Sequence, residues 1–238
     1  MDNEKIADWY DSYSERQYKT GTNERLISLY KRMKKWGLKA DSKVLELGCG
    51  VGIFSRLLLK TVKTGKIEAV DLSPKSIEVA QKFVKNNNIR FETADVVNYT
   101  PKISGFDFIT LMDVIEHIPL EKHPELFDNL AQLCNDKTLI IINFPNPRYI
   151  EFFQKNDPSQ LQVIDQSVEL PELINIADHS GLEIVFYEKY SIWEREDYDF
   201  LVMRKKRPFK LQHLADSRNI SEKVEKKITR KIDSIKYS

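Results

Sequence analysis

Short apolar runs and amphipathic stripes alternate along this chain. Residues 43–47, 66–71, 89–93, 106–111 and 138–144 are strand-sized runs rich in Val, Ile, Leu and Phe. Helical patterns lie at 3–15, 22–36, 53–60, 121–133 and 170–179, the second with Leu26, Ile27, Tyr30 and Met33 at helical spacing. Ser73 and Pro74 mark a further helix start, with Ser73 as N-cap and Pro74 in the first turn. Runs 182–190 and 198–204 follow Gly181 with no helix between them, which predicts a hairpin. The alternation predicts an α/β fold: a doubly wound, mainly parallel seven-stranded sheet with one antiparallel strand and helices on both faces. The expected organisation is an N-terminal helical lid over 1–39, a main domain over 40–207, and a basic C-terminal helix over 208–238.

Composition narrows the class. The chain has 238 residues, 41% hydrophobic and 31% charged, which excludes disorder throughout. No apolar run approaches the ~18 residues of a membrane span, and the start, MDNEKIADWYDS, is too polar for a secretory signal. Two cysteines, Cys49 and Cys134, make no disulfide framework, so a reducing, cytoplasmic setting is expected. The net charge of +1 hides a split: residues 204–238 carry +8 and residues 1–203 carry −7. The acidic body argues against nucleic acid as its partner.

The densest chemical signal is VLELGCGVG at residues 44–52. Glycines 48, 50 and 52 follow a strand and precede a helix, so the backbone can turn tightly and a ligand can come close. Position 53 is Ile where a dinucleotide fingerprint wants its third spaced glycine. Glu46, just before the loop, would repel a pyrophosphate but suits a cation. Asp71 ends the second strand, 21 residues after Gly50, where a carboxylate can accept from two ribose hydroxyls. Asp95 and Val96 follow the third strand, an acceptor and an apolar surface for an adenine ring.

With these elements in order, residues 40–205 resemble the class I S-adenosylmethionine-dependent methyltransferases, which have a Rossmann-like fold. The resemblance implies S-adenosyl-L-methionine as cofactor, contacted by Glu46, Gly48, Gly50, Gly52, Asp71, Leu72, Asp95, Val96, Met112 and Asp113.

After the fourth strand, LMDVIEHIP at 111–119 is similar to the acid-x-x-Glu-His segment of ubiquinone-biosynthesis and small-RNA 3′-end methyltransferases. Asp113, Glu116 and His117 would share one helix face at i, i+3 and i+4. Three readings stand open: a capping box and pocket wall, His117 with Glu116 acting on the acceptor proton, or the three residues holding a divalent cation. The small-RNA enzymes place another His after the fifth strand; the region that corresponds, 163–168, has Gln166, which disfavours both the metal and the RNA-end readings. No metal is therefore favoured.

The acceptor is expected beyond the strand ends, walled by Trp9, Tyr10, Tyr13, Tyr18, a rigid loop at 143–149, and residues 163–168. Arg16, Lys19, Arg148 and Lys155 are candidate anion contacts. The other histidines, His123, His179 and His213, read as structural or surface residues. The expected reaction is methyl transfer to a hydroxyl of a small molecule, sugar or glycan; RNA- or protein-directed transfer and a non-catalytic cofactor-binding subunit are the alternatives. In the tail, NISE at 219–222 reads as a capping box. Ile220, Val224, Ile228, Ile232 and Ile235 fall within an arc of about 120° on a helix turning ~100° per residue. Lys223, Lys226, Lys227 and Arg230 lie mostly opposite. Such a helix fits its own domain, a second subunit, or an anionic membrane surface.

Overall fold

A computed structural model of the chain describes residues 17–162, 164–209, 211 and 225–229. The chain divides into one unit up to Lys206 and a second from Arg207. In the first unit, seven strands form one sheet: β1 (Lys43–Leu47), β2 (Lys66–Asp71), β3 (Ile89–Thr93), β4 (Phe108–Met112), β5 (Leu139–Pro145), β6 (Leu182–Tyr190) and β7 (Tyr198–Lys205). Their order is β3-β2-β1-β4-β5-β7-β6. All neighbours pair in parallel except β7, which runs antiparallel to both β5 and β6, as the hairpin expectation required.

The helices are α1 (Glu24–Lys35), α2 (Ile53–Leu58), α3 (Pro74–Phe83), α4 (His123–Leu133), α5 (Pro147–Asn156) and α6 (Leu170–His179), preceded by a helical turn at 17–20. Central strands buried on both faces read as continuous apolar runs, and alternate residues of each feed two cores. Val44, Ile67 and Phe108 face Leu29 and Met33 of α1 and Leu57 of α2. Leu45, Ile109 and Ile140 face Phe127 and Leu130 of α4 and Leu173 of α6. Burying Leu29 and Met33 contributes about 1.5–3 kcal/mol each.

The structure corrects several expectations. Ile27 lies at the margin of the α1 stripe and is 40% exposed; Leu29 takes the buried position. The loop expected at 143–149 is the end of β5 running straight into α5. Asn146 caps that helix by accepting from the Arg148 N–H at 3.0 Å, and Pro147 fills its first turn. Strand β4 starts at Phe108 rather than Phe106. The helix expected at 3–15, with Trp9, Tyr10, Tyr13 and Arg16, lies outside the described residues, as does His213. So do the 219–222 capping box and most of the tail stripe. In the second unit, residues 225–229 are helical and Ile228 is exposed. No helix of the described residues is long and apolar enough to cross a membrane.

Candidate active site

Strands β1 to β4 all point their C-terminal ends to one edge of the sheet. The chain winds outward through β2 and β3, then returns to lay β4 on the other side of β1. That reversal opens a crevice between the ends of β1 and β4. A cavity of about 270 Å³ occupies it.

The glycine loop forms its floor. Gly48 and Cys49 donate their N–H groups to the Val70 carbonyl at 2.7 and 2.9 Å, and Gly50 N–H donates to Asp71 Oδ2 at 2.7 Å. Asp71 Oδ1 accepts from Ser73 N–H at 3.0 Å. The end of β2 thus clamps the loop. Gly48 has φ +77°, and a Cβ there would lie 2.3 Å from Val114 Cγ2, so only glycine fits. Gly52 serves packing instead. Its absent Cβ makes room for Ala80, Phe91 and Val84, and the residue does not line the cavity.

Glu46, Gly48, Gly50, Asp71, Leu72, Asp95, Val96, Met112 and Asp113 all line the cavity, as does His117. Asp95 Oδ1 accepts from the Val97 N–H at 3.0 Å, which turns the chain after β3. Glu46 is buried, with the Ser55 hydroxyl donating to its Oε2 at 2.6 Å. Burial, against the Ser55 hydrogen bond, pushes its carboxyl up to about 8.

After β4 the structure departs from the expected helix face. Asp113 has φ +58°, and the following residues form a single 3₁₀ turn, Ile115–His117, with no side-chain cap. Asp113 is therefore not a capping residue, and Asp113, Glu116 and His117 do not share an α-helical face. Asp113 is held from three sides. Its N–H donates to the Asn143 carbonyl, Asn143 Nδ2 donates to its Oδ1 at 2.6 Å, and Arg25 Nη1 lies 2.5 Å from its Oδ2. Tyr190 OH donates to Asn143 Oδ1 at 2.6 Å, extending this network to β6. Among the described residues no group of three or more His, Cys, Asp or Glu is arranged to hold a metal ion.

His117 borders the cavity; Glu116 is buried and does not line it. His117 Nε2 is 3.7 Å from Glu116 Oε1. His117 Nδ1 lies 2.9 Å from Asp165 Oδ1 and 2.5 Å from the Ile164 carbonyl. Burial works to lower the imidazole pKa, but Glu116 and Asp165 overcome it and hold it above the usual histidine range. Burial raises the Glu116 carboxyl well above its ordinary value. Lys19, Arg148 and Lys155 are exposed and do not line the cavity. A half-buried cation that lines the cavity is Arg25, whose guanidinium lies over the Trp193 and Tyr198 rings.

The sequence profile of a family described as a methyltransferase domain matches residues 15–187. The chain belongs to this methyltransferase family. Together with the fold, this makes it a class I S-adenosylmethionine-dependent methyltransferase. A malonyl-[acyl-carrier protein] O-methyltransferase of Ilyobacter polytropus is 32% identical over 147 residues, 60% of this chain and 53% of that protein. A ubiquinone biosynthesis O-methyltransferase of Coxiella burnetii is 36% identical over 80 residues, 32% of each chain. The matched stretch thus spans about half, or less, of the length of these curated relatives. Magnesium protoporphyrin IX methyltransferase from Synechocystis PCC 6803, solved with bound SAH, shares the fold: its TM-score is 0.68 at 17% identity, over 87% of this methyltransferase and 100% of that chain.

The donor set fits the cofactor. Carboxylates at the ends of β1 and β2 and just after β3 suit its positive groups and ribose hydroxyls, and Leu72, Val96 and Met112 offer apolar surface beside them. Asp165, Arg25, Ser55 and Tyr198 escaped sequence reasoning. Asp165 stands in a segment that the sequence marks only as an acceptor wall, and Arg25 sits on an amphipathic helix whose pattern marks its buried face alone.

Proposed function

We propose that this methyltransferase transfers the methyl group to a hydroxyl oxygen of a small-molecule acceptor, with His117 as the proton-accepting base. The observation that carries this is the placement of His117 on the cavity wall between two carboxylates, Glu116 and Asp165. Bound S-adenosylmethionine supplies a methyl group already activated by the positive charge on sulfur. The chain's own task is alignment and deprotonation. Asp71 holds the ribose, Asp95 and Val96 the adenine, and Glu46 with the glycine loop the amino-acid end. A base placed at the hydroxyl adds typically ~10²–10⁴-fold. Asp165 stabilises the imidazolium it becomes, and because the acidic neighbours hold the ring above the usual histidine range, the share of neutral ring that acts as base grows with rising pH.

The names of the malonyl relatives support a second reading, with a carboxylate oxygen as acceptor. A carboxylate is already ionised and needs no base. That would leave the placement of His117 between Glu116 and Asp165 without a task, so the hydroxyl reading stands first.

The test is methyl transfer on a panel of phenols, catechols, sugars, glycans and malonyl thioesters, by the native chain and by His117→Ala. The hydroxyl reading expects turnover on a hydroxyl compound and an about 10²-fold fall in the variant, with cofactor affinity within a few-fold. Turnover confined to malonyl thioesters and indifferent to the substitution would install the carboxylate reading instead.

A further inference from the structure

We infer that Asp165 is the positioning residue of the base, fixing both the tautomer and the ring orientation of His117. The inference rests on the base role proposed above for His117, and it assigns a residue that no motif marks.

The geometry is specific on the Nδ1 side of the ring. Nδ1 faces two acceptors: Asp165 Oδ1 at 2.9 Å and the Ile164 carbonyl at 2.5 Å. A ring nitrogen between two acceptors carries the hydrogen. The neutral imidazole is therefore the Nδ1–H form, and proton exchange falls to Nε2, the atom on the Glu116 side. This is the arrangement by which a carboxylate orients a general base without itself taking the proton. A proton leaving an acceptor hydroxyl goes to Nε2; the Nδ1–H bond to Asp165 is kept and strengthens as the ring becomes an imidazolium.

Asp165 is itself held in register. Its Oδ2 accepts from the Gln162 N–H at 2.7 Å, and its carbonyl accepts from Gln154 Nε2 on α5 at 2.9 Å. The next residue, Gln166, ties the segment to the His117 turn twice. Its N–H donates to the Glu116 carbonyl at 3.0 Å, and its Nε2 donates to the Ile118 carbonyl at 2.9 Å. Gln166 thus staples the loop that presents Asp165 to the His117 turn. Among the described residues, Glu116 from its own turn and Asp165 from this segment act on the ring. Both favour the protonated ring, and burial opposes them.

The experiment is an NMR titration of the histidine rings in the full chain, native and Asp165→Asn, with the His117 signals assigned from His117→Gln. The native ring is expected to be the Nδ1–H form when neutral and to titrate above the ordinary histidine value. Asp165→Asn should lower its pKa by about 1 unit or more, since an opposite charge at this distance shifts a pKa by ~1–3 units. It should also mix the tautomers, and Asp165→Glu should restore part of both effects. A merely structural Asp165 would leave pKa and tautomer unmoved. An Nε2–H tautomer in the native chain overturns the inference even if the Asn variant does not fold. If these signatures hold but His117→Ala keeps its turnover, the base reading fails while the pairing stands.

Discussion

Arg25 Nη1 sits 2.5 Å from Asp113 Oδ2, and this contact ties α1 to the end of β4. Asp113 needs the tie. Its φ of +58° is left-handed, a conformation costing of order 1–3 kcal/mol for a residue with a side chain. The carboxylate is nearly buried, so it cannot rely on water. Arg25 supplies the opposite charge, and its guanidinium is kept in place by Tyr198 OH at 3.0 Å and by the ring faces of Trp193 and Tyr198. The strained residue stands immediately before the turn that carries Glu116 and His117, so the ion pair fixes where that turn begins.

Arg25→Met should therefore destabilise the chain. Removing one partner of a buried ion pair costs about 3–5 kcal/mol; with the Arg25 side chain 23% exposed, roughly 2–3 kcal/mol is the expected loss. Arg25→Lys should recover only part of it, because an ammonium lacks the planar fork and stacks less well on the two rings. Urea denaturation of the three proteins measures this. A loss under about 0.5 kcal/mol for the Met variant would mean that Asn143 alone holds Asp113.

Asp71→Ala should weaken cofactor binding about 10- to 150-fold, the effect of losing a charge-assisted acceptor worth about 1.5–3 kcal/mol. Two losses combine here: the ribose acceptor, and the clamp on the Gly50 N–H that shapes the loop. Calorimetry with S-adenosylmethionine gives the number. An unchanged dissociation constant would remove Asp71 from the site.

The sheet was legible because its signals are local. Strands β1, β2, β3 and β6 and the Ser73 cap follow from apolar runs and capping chemistry that neighbouring residues decide. The parallel order brings their ends together, so Glu46, Asp71 and Asp95 meet in one cavity from positions spread over fifty residues of sequence. The turn after β4 was misread because Asp-x-x-Glu is also a capping pattern. What defeats the cap is a distant cation: Arg25 and Asn143 take the Asp113 side chain. Helix α5 was missed because Asn-Pro-Arg reads as a loop, although Asn before Pro is equally an N-cap followed by a first turn. Asp165 reaches His117 from 48 residues further along the chain, and no spacing rule encodes that pairing.

Glu46 gives a prediction in pH. Its carboxyl ionises near 4.5 when unperturbed, but burial in the folded chain, against Ser55, raises it to about 8. Between these values the folded state binds more protons than the unfolded one, so this residue's contribution to stability falls as pH rises from about 4.5 to about 8. Glu46→Gln keeps an oxygen for the Ser55 hydroxyl but removes the titration. Its stability, relative to the native chain, should therefore rise with pH across that window, measured by thermal melting without cofactor. A cationic ligand reverses the preference, because a positive charge beside Glu46 favours the ionised form. Binding S-adenosylmethionine at pH 7 should then release about one proton, and its affinity should increase with pH until the free carboxyl has ionised. Calorimetry in two buffers of different ionisation enthalpy counts the proton, and Glu46→Gln should abolish the release. Equal binding heats in both buffers, after allowing for dilution, would mean that Glu46 is already ionised before the cofactor arrives and that Ser55 outweighs its burial.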